Sequence, residues 1–470
     1  MTASLPHRFA PVNDTHSALN PTLVADVVRA RGTADLGRAI ARAAAEGRSV
    51  SICGARHAMG GQQFAADSVL VDTTGLARVI AFDADRGLVE VEAGIRWPAL
   101  HDWLLHAQAG RPHAWAFRQK QTGADGLSLG GCLAANVHGR GLDLPPFVSE
   151  VESFTLIDAA GERRRCSRDE NAALFRLAIG GYGLFGVIAT ITLRLAPRQK
   201  LRRVVEMRDV DDLSAAFDER IAAGFRYGDF QFAVDPLHET FLRRGVFSCY
   251  APVPQTTPVP DGQRSLSPDD WRRLVHLAHT APSAAFEHYA RHYLATSGQI
   301  YWSDTHQLSV YLDDYHRDVD RALGHRGSEV ITELYVPRPR LADFMAAAAA
   351  DFRRHGVRPV YGTVRLIRRD AETFLAWARG DWACVIFNLH VRHDPPGLAH
   401  AADAFRRLID LAAVRGGSYY LTYHRHATRA QVEACHPQFA EFLRLKRAYD
   451  PEERFQSDWY RHYRELFATA

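Results

Sequence analysis

Short apolar blocks alternate with polar and glycine-rich stretches through about residue 200, and the period inside the blocks switches between helical and alternating. Thr33 can cap a helix that runs to about Glu46, where Gly47 stops it. Ser49–Cys53 reads as a buried strand ending in a glycine-rich loop from Gly54 to Gly61. Further strands are predicted at Val69–Asp72, Val79–Phe82, Leu88–Ala93, Val151–Ile157 and Val187–Leu195. Helices are predicted from Trp97 to about Gln108 and near Asn171–Ala178. Strand and helix patterns resume at Glu329–Val336, Leu341–Arg353, Cys384–His390 and Ala402–Ala413. This mixture reads as an α+β fold rather than a regularly alternating parallel sheet.

A break falls near Pro197–Lys200, so the expected division is 1–199, 200–416 and a C-terminal segment 417–470. Prolines at 252, 254, 258, 260 and 268 mark the stretch 251–268 as a mobile loop, because it is too polar to bury enough apolar area to become ordered. It interrupts a domain, so a lid over a pocket is one expectation and a surface insertion without a role is the other.

Composition removes several classes. With 57 basic and 54 acidic residues the formal charge is +3, without the clustered basic face that a nucleic-acid partner needs. Only three of the basic residues are lysines, Lys120, Lys200 and Lys446. No apolar run approaches the roughly 18 residues of a membrane-spanning helix. The start, Met1 to Ala10, holds Pro6, His7 and Arg8 without an apolar core, so no signal peptide is expected. Six cysteines (53, 132, 166, 249, 384 and 435) show no C-x-x-C spacing, so the expected home is a reducing, cytoplasmic compartment.

Two glycine-rich loops carry the first chemistry. Glycines after a strand let the backbone approach a ligand and turn N–H groups toward phosphate without basic side chains. The first loop holds Gly54, Gly60 and Gly61; the second holds Gly123, Gly126, Gly130, Gly131, Gly139 and Gly141, with Ser128 and Asn136 as side-chain donors. Neither is G-x-G-x-x-G opening a helix and neither contains G-K-[ST], so Rossmann and P-loop readings gain little. Together the loops suggest a long diphosphate-bearing cofactor.

The order Gly54-Ala-Arg-His57-Ala-Met, Val69–Asp72, Val89–Gly94, Leu129–Gly139 and Gly180–Ile188 resembles the FAD-binding domain of the vanillyl-alcohol-oxidase-type, or PCMH-type, flavoproteins. The resemblance returns in Phe442–Pro451 and Phe455–Asp458. It implies two subdomains gripping FAD and a substrate domain over the flavin ring. Arg56, His57, Ala58, Met59 and Gly60 are then expected along the diphosphate, and Gly54, Ala55 and Gly123 also among the cofactor-binding residues. Ser128, Leu129, Gly130, Gly131, Asn136, His138 and Gly139 are expected beside the flavin, and Val187 and Ile188 at the adenine or ribose end.

By the same resemblance His57 falls where many members bond a histidine to the flavin, and a neutral imidazole is a competent nucleophile for that bond. Arg56 stands before it, where a compact residue is common in the family. Gly126 stands where a second, cysteinyl tether would be. The implied activity is oxidation of a CH–OH group of a sugar, polyol, aldonolactone or related small alcohol, with O₂ or another acceptor reoxidising the flavin.

Proton removal from the hydroxyl calls for a base. The candidates are His138 and Tyr423, the latter either as a base with Arg365 or His424 to lower its pKa or as a stacking wall only; Arg365 is expected to orient the substrate as a cation. Thr363-Val-Arg365 lacks the carboxylate of the Glu-x-Arg that the sugar-alcohol and aldonolactone oxidases carry. The resemblance extends to decaprenylphosphoryl ribose oxidase through Cys384. Among 23 histidines, the pairs His288/His292, His390/His393 and His424/His426 lack a third ligand, so no metal site is predicted. A metal-dependent hydrolase or lyase and a non-catalytic flavin-fold protein are the competing readings.

Overall fold

The computed structural model describes residues 9–310, 312 and 315–468. Most of the segment on which the signal-peptide reading rests lies outside the described residues. The architecture is α+β, built on three main sheets.

The first sheet is parallel and three-stranded, with β1 (Asp26–Arg29), β2 (Val50–Cys53) and β3 (Val69–Asp72) in the order β1-β3-β2. Its central strand is buried at every position, which explains why Val69–Asp72 reads as a continuous apolar run rather than an alternating one. The helix Thr33–Ala45 joins β1 to β2 and buries Leu36, Ala39, Ile40 and Ala43. Thr33 is the first helical residue and not its cap. Gly32 takes the cap position, and the Asp35 carboxylate accepts from the backbone N–H groups of Arg31 (2.7 Å) and Gly32 (3.1 Å).

The second sheet is antiparallel. It orders β4 (Val79–Asp83), β5 (Leu88–Glu92), β6 (Val151–Ile157), β7 (Arg163–Ser167) and β8 (Val187–Arg194) as β7-β6-β8-β5-β4. Between β5 and β6 the chain runs through the helix Trp97–Ala107 and the short helix Leu129–Ala135, which carries the second glycine-rich loop.

The third sheet has eight strands: β9 (Lys200–Asp209), β10 (Tyr227–Phe232), β11 (Arg244–Val253), β12 (Ile300–Trp302), β13 (Gly327–Pro337), β14 (Pro359–Ile367), β15 (Trp382–Arg392) and β16 (Ser418–Tyr419). Their order is β12-β9-β11-β10-β14-β15-β13-β16, with the neighbours antiparallel. The helices Val210–Ala222, Leu341–His355 and Pro395–Ala413 pack on this sheet with their apolar stripes.

The stretch 251–268 is a strap with anchors. Residues 251–253 complete β11, and a helix begins at Pro268. Between them Gln255 Nε2 donates to the Arg198 carbonyl (2.7 Å), Lys200 Nζ donates to the Thr257 carbonyl (2.5 Å) and Gln263 Nε2 donates to the Ile300 carbonyl (2.8 Å).

The C-terminal segment returns to the first sheet. Val50 donates to Arg454 (2.6 Å) and accepts from Gln456 (2.9 Å), and Trp459 Nε1 donates to the Leu421 carbonyl (3.1 Å). No helix among the described residues is long and apolar enough to cross a membrane.

Candidate active site

A cavity of about 600 Å³ lies between the two glycine-rich loops and one face of the eight-stranded sheet. Loop residues Gly54, Ala55, Arg56, His57, Ala58, Met59, Gly123, Ser128 and Gly131 line it. Two close approaches fix the loops to each other. A Cβ on Gly54 would collide with Ser128 Oγ, and one on Gly126 would lie 2.9 Å from His57 Nε2. Arg56 is held at φ +60°, a left-handed conformation uncommon outside glycine.

The other predicted cofactor residues stand behind this wall. Gly130 N donates to the Ala93 carbonyl (2.7 Å), Leu129 is fully buried, and Gly139 N donates to Gln119 Oε1 (3.4 Å). Gly60 N donates to Gln62 Oε1 (3.1 Å). Asn136 spends its side chain on structure, since Nδ2 donates to Asp370 Oδ2 (2.9 Å) and Oδ1 accepts from Val148 N (2.9 Å). Val187 and Ile188 are buried in β8, paired with Ile157 and Leu156.

Opposite the loops, alternate residues of the sheet point into the cavity. Arg203, Asp229, Gln231, Tyr250, Ile331, Glu333, Tyr361, Arg365, Ile386 and Asn388 are contributed by six different strands. Register explains the arrangement: Gln231 pairs with Thr363, Thr363 with Ile386 and Ile386 with Glu333, forming one row across four strands. The carboxylate that Thr363 does not supply thus stands in the same row, two strands away. Sequence reasoning missed Glu333; its signal was a charged residue inside the apolar strand Glu329–Val336.

Glu333 is fully buried and is the hub of a network. Its Oε1 accepts from the Tyr423 hydroxyl (2.8 Å); Oε2 accepts from the Tyr335 hydroxyl (2.9 Å) and lies 2.9 Å from His138 Nε2. Burial alone would raise the carboxyl pKa, but His138 and these hydroxyl donors outweigh it and leave it below the usual glutamate value. His138 lies outside the cavity wall, with Nδ1 3.0 Å from its neighbour's carbonyl, Gly139. Cys384 Sγ sits 3.8 Å from Glu333 Oε2, and burial with that carboxylate drives its thiol pKa far up, so it stays a thiol.

Tyr423 lines the cavity, but not with a lowered pKa. Burial and the Glu333 charge raise it well above 10, and the opposing pull of Arg365 is smaller. His424, which follows the turn at residues 421–423, packs on the other side of the sheet. It stacks on Phe405 at 4.3 Å, and Nε2 meets Thr332 Oγ1 at 3.2 Å on the helix-covered side of the sheet. Burial holds its pKa well below that of an ordinary histidine. Arg365 is buried at the cavity wall, and its Nε and Nη1 have no hydrogen-bond partner among the described residues. A buried guanidinium with unused donors is costly unless something in the cavity accepts from it.

Helices Pro268–Thr280 and Pro282–Leu294 wall the outer end through Trp271, Tyr289, His292 and Tyr293, and Arg264, Ser265 and Leu266 of the strap join them.

Residues 24–167 match the model of an FAD binding domain family, and this part of the chain is a PCMH-type FAD-binding domain. Over nearly its whole length the chain is similar to L-gulono-1,4-lactone dehydrogenase of Mycobacterium tuberculosis, with 24% identity over 93% of this chain and 95% of that one. It is similar to decaprenylphosphoryl-beta-D-ribose oxidase of Mycolicibacterium smegmatis at 24% identity, covering 90% of each. A mitochondrial L-galactono-1,4-lactone dehydrogenase of Oryza sativa matches at 30% identity over 31% of this chain and 24% of its own.

Proposed function

We propose that this protein is an FAD-dependent oxidoreductase that oxidises a CH–OH group of a sugar, polyol, aldonolactone or related small alcohol. The observation that carries the reading is the cavity itself: a glycine-lined wall within an FAD-binding domain faces an unpaired guanidinium and a buried carboxylate network. The wall suits the cofactor, because glycines at 54, 123 and 131 leave backbone groups uncovered for a long diphosphate-bearing ligand. Full-length similarity to a lactone dehydrogenase and a ribose oxidase supports the substrate class.

Bound FAD supplies the two-electron acceptor for a hydride leaving the substrate carbon. His57, on the cavity wall, is the residue we assign to a covalent tether. Arg365 orients the substrate oxygen and favours its developing negative charge through Nε and Nη1. Tyr423 takes the hydroxyl proton only as it passes its own to Glu333 Oε1, since its raised pKa excludes a standing phenolate. His138 and Tyr335 hold Oε2 and so aim the other oxygen at Tyr423; His138 is a positioning residue here. Six unpaired, buried cysteines support the expected cytoplasmic location.

Screening alcohols, sugars, lactones and amines for anaerobic bleaching of the flavin tests the assignment. Bleaching by CH–OH donors supports it, and bleaching by amines alone overturns it.

A further inference from the structure

We propose that His279, Glu329 and His390, with His325 beside them, form a binding site for a divalent transition-metal ion of the zinc class. The site is separate from the redox chemistry, for none of these four residues lines the cavity. The ligand atoms of His279, Glu329 and His390 all lie within 4.8 Å of one another. His279 comes from the last turn of the helix Pro268–Thr280, Glu329 and His390 face each other across β13 and β15, and His325 lies in the turn before β13.

The hydrogen-bond directions inside the cluster carry the argument. His279 Nδ1 is 2.8 Å from the Val275 carbonyl and His325 Nδ1 is 3.2 Å from the Leu323 carbonyl. A carbonyl can only accept, so each Nδ1 carries the hydrogen and a neutral ring turns an Nε2 lone pair inward. Those inner nitrogens face the Glu329 carboxylate and the His390 ring. His279 Nε2 lies 2.7 Å from Glu329 Oε1, and His325 Nε2 lies 2.9 Å from His390 Nε2. His390 Nδ1 is 3.1 Å from the same Glu329 oxygen.

Two imidazole nitrogens meet one buried carboxylate oxygen, an arrangement that is satisfied either by ring protons or by a metal ion in their place. A carbonyl on the outer nitrogen is the usual device that orients a metal-binding histidine. Glu329 is steadied from its other side, where Oε2 accepts from the Tyr315 hydroxyl (2.5 Å) and lies 3.2 Å from His316 Nδ1. Imidazoles with one carboxylate suit zinc in tetrahedral geometry. His390 and His325 are partly exposed, which leaves an entry path.

The sequence pairs His390 with His393, but His393 Nε2 turns to Ser328 Oγ (2.8 Å), and the missing ligands come from distant segments. A bound ion would tie the helix that brings Trp271 to the cavity onto the sheet, so its role is structural.

The test uses the purified flavin-loaded protein, stripped with a chelator and titrated with Zn²⁺ at neutral pH. Wild type is expected to bind about one equivalent and to melt roughly 3 °C higher with zinc in excess. His279→Gln is expected to lose both effects while keeping its flavin. Co²⁺ in the wild-type protein is expected to give visible bands at longer wavelength than oxidised flavin, which covers the case of a variant that fails to fold. Less than about 0.1 equivalent bound by wild type, or equal zinc binding in wild type and folded His279→Gln, overturns the proposal. Flavin content is read separately, so a failure here leaves the assigned redox function untouched and the converse also holds.

Discussion

The hydroxyl of Tyr423 lies 2.8 Å from Oε1 of Glu333, two residues 90 positions apart that meet at the inner end of the cavity. The carboxylate keeps the phenol protonated and also receives its proton when a substrate hydroxyl replaces it. Tyr423→Phe keeps the ring and removes the relay. Anaerobic flavin reduction in this variant is expected to slow by roughly 10²–10⁴-fold with unchanged flavin content. Wild-type reduction rates would leave Tyr423 as a wall of the cavity and nothing more.

Arg365 has a different role and a different readout. Replacing it with methionine keeps much of the stem and removes the unused donors, so reduction is expected to fall by roughly 10²–10³-fold. Arg365→Lys should recover little, because a point charge does not reproduce a planar fork. Stopped-flow reduction of both variants, at matched flavin occupancy, checks this.

Acid should reveal the Glu333 network as a stability term. Its folded pKa lies below the ordinary 4.5, so its contribution is present above that pH and is lost as the pH falls through the depressed value. Glu333→Gln mimics the protonated state and is expected to cost about 1–3 kcal/mol at neutral pH. Melting curves of both proteins should converge on acidification. A gap that stays constant with pH would show that the carboxylate charge is not what the network holds.

The FAD-binding domain was legible in the sequence, and the face of the sheet opposite its loops was not, for a physical reason. Gly54 to Met59 and Ser128 to Gly131 are consecutive residues whose spacing carries their meaning. The substrate face is written across strands: Gln231, Thr363, Ile386 and Glu333 meet only through antiparallel register. Within Glu329–Val336, alternation shows which residues share a face but not that Glu333 is fully buried. His424 shows the same limit, because it neighbours Tyr423 in sequence yet packs against Phe405 on the other side of the sheet, after a turn whose path the sequence does not spell out. The prolines of 251–268 mark a break in regular structure and say nothing of the bonds from Gln255, Lys200 and Gln263 that hold the strap down.

His57→Ala addresses the tether. Wild type is expected to keep its yellow colour in the acid-precipitated pellet, and the variant to fold, bind FAD and release it to the supernatant. Complete release from wild type would remove the covalent bond and leave the cofactor site in place.

The most direct measurement is the visible spectrum of the purified protein, taken before and after anaerobic addition of CH–OH donors. An oxidised flavin spectrum is expected, one that bleaches with at least one sugar, polyol or aldonolactone and bleaches far more slowly in Arg365→Met. A protein that purifies without flavin after expression with ample riboflavin would contradict it.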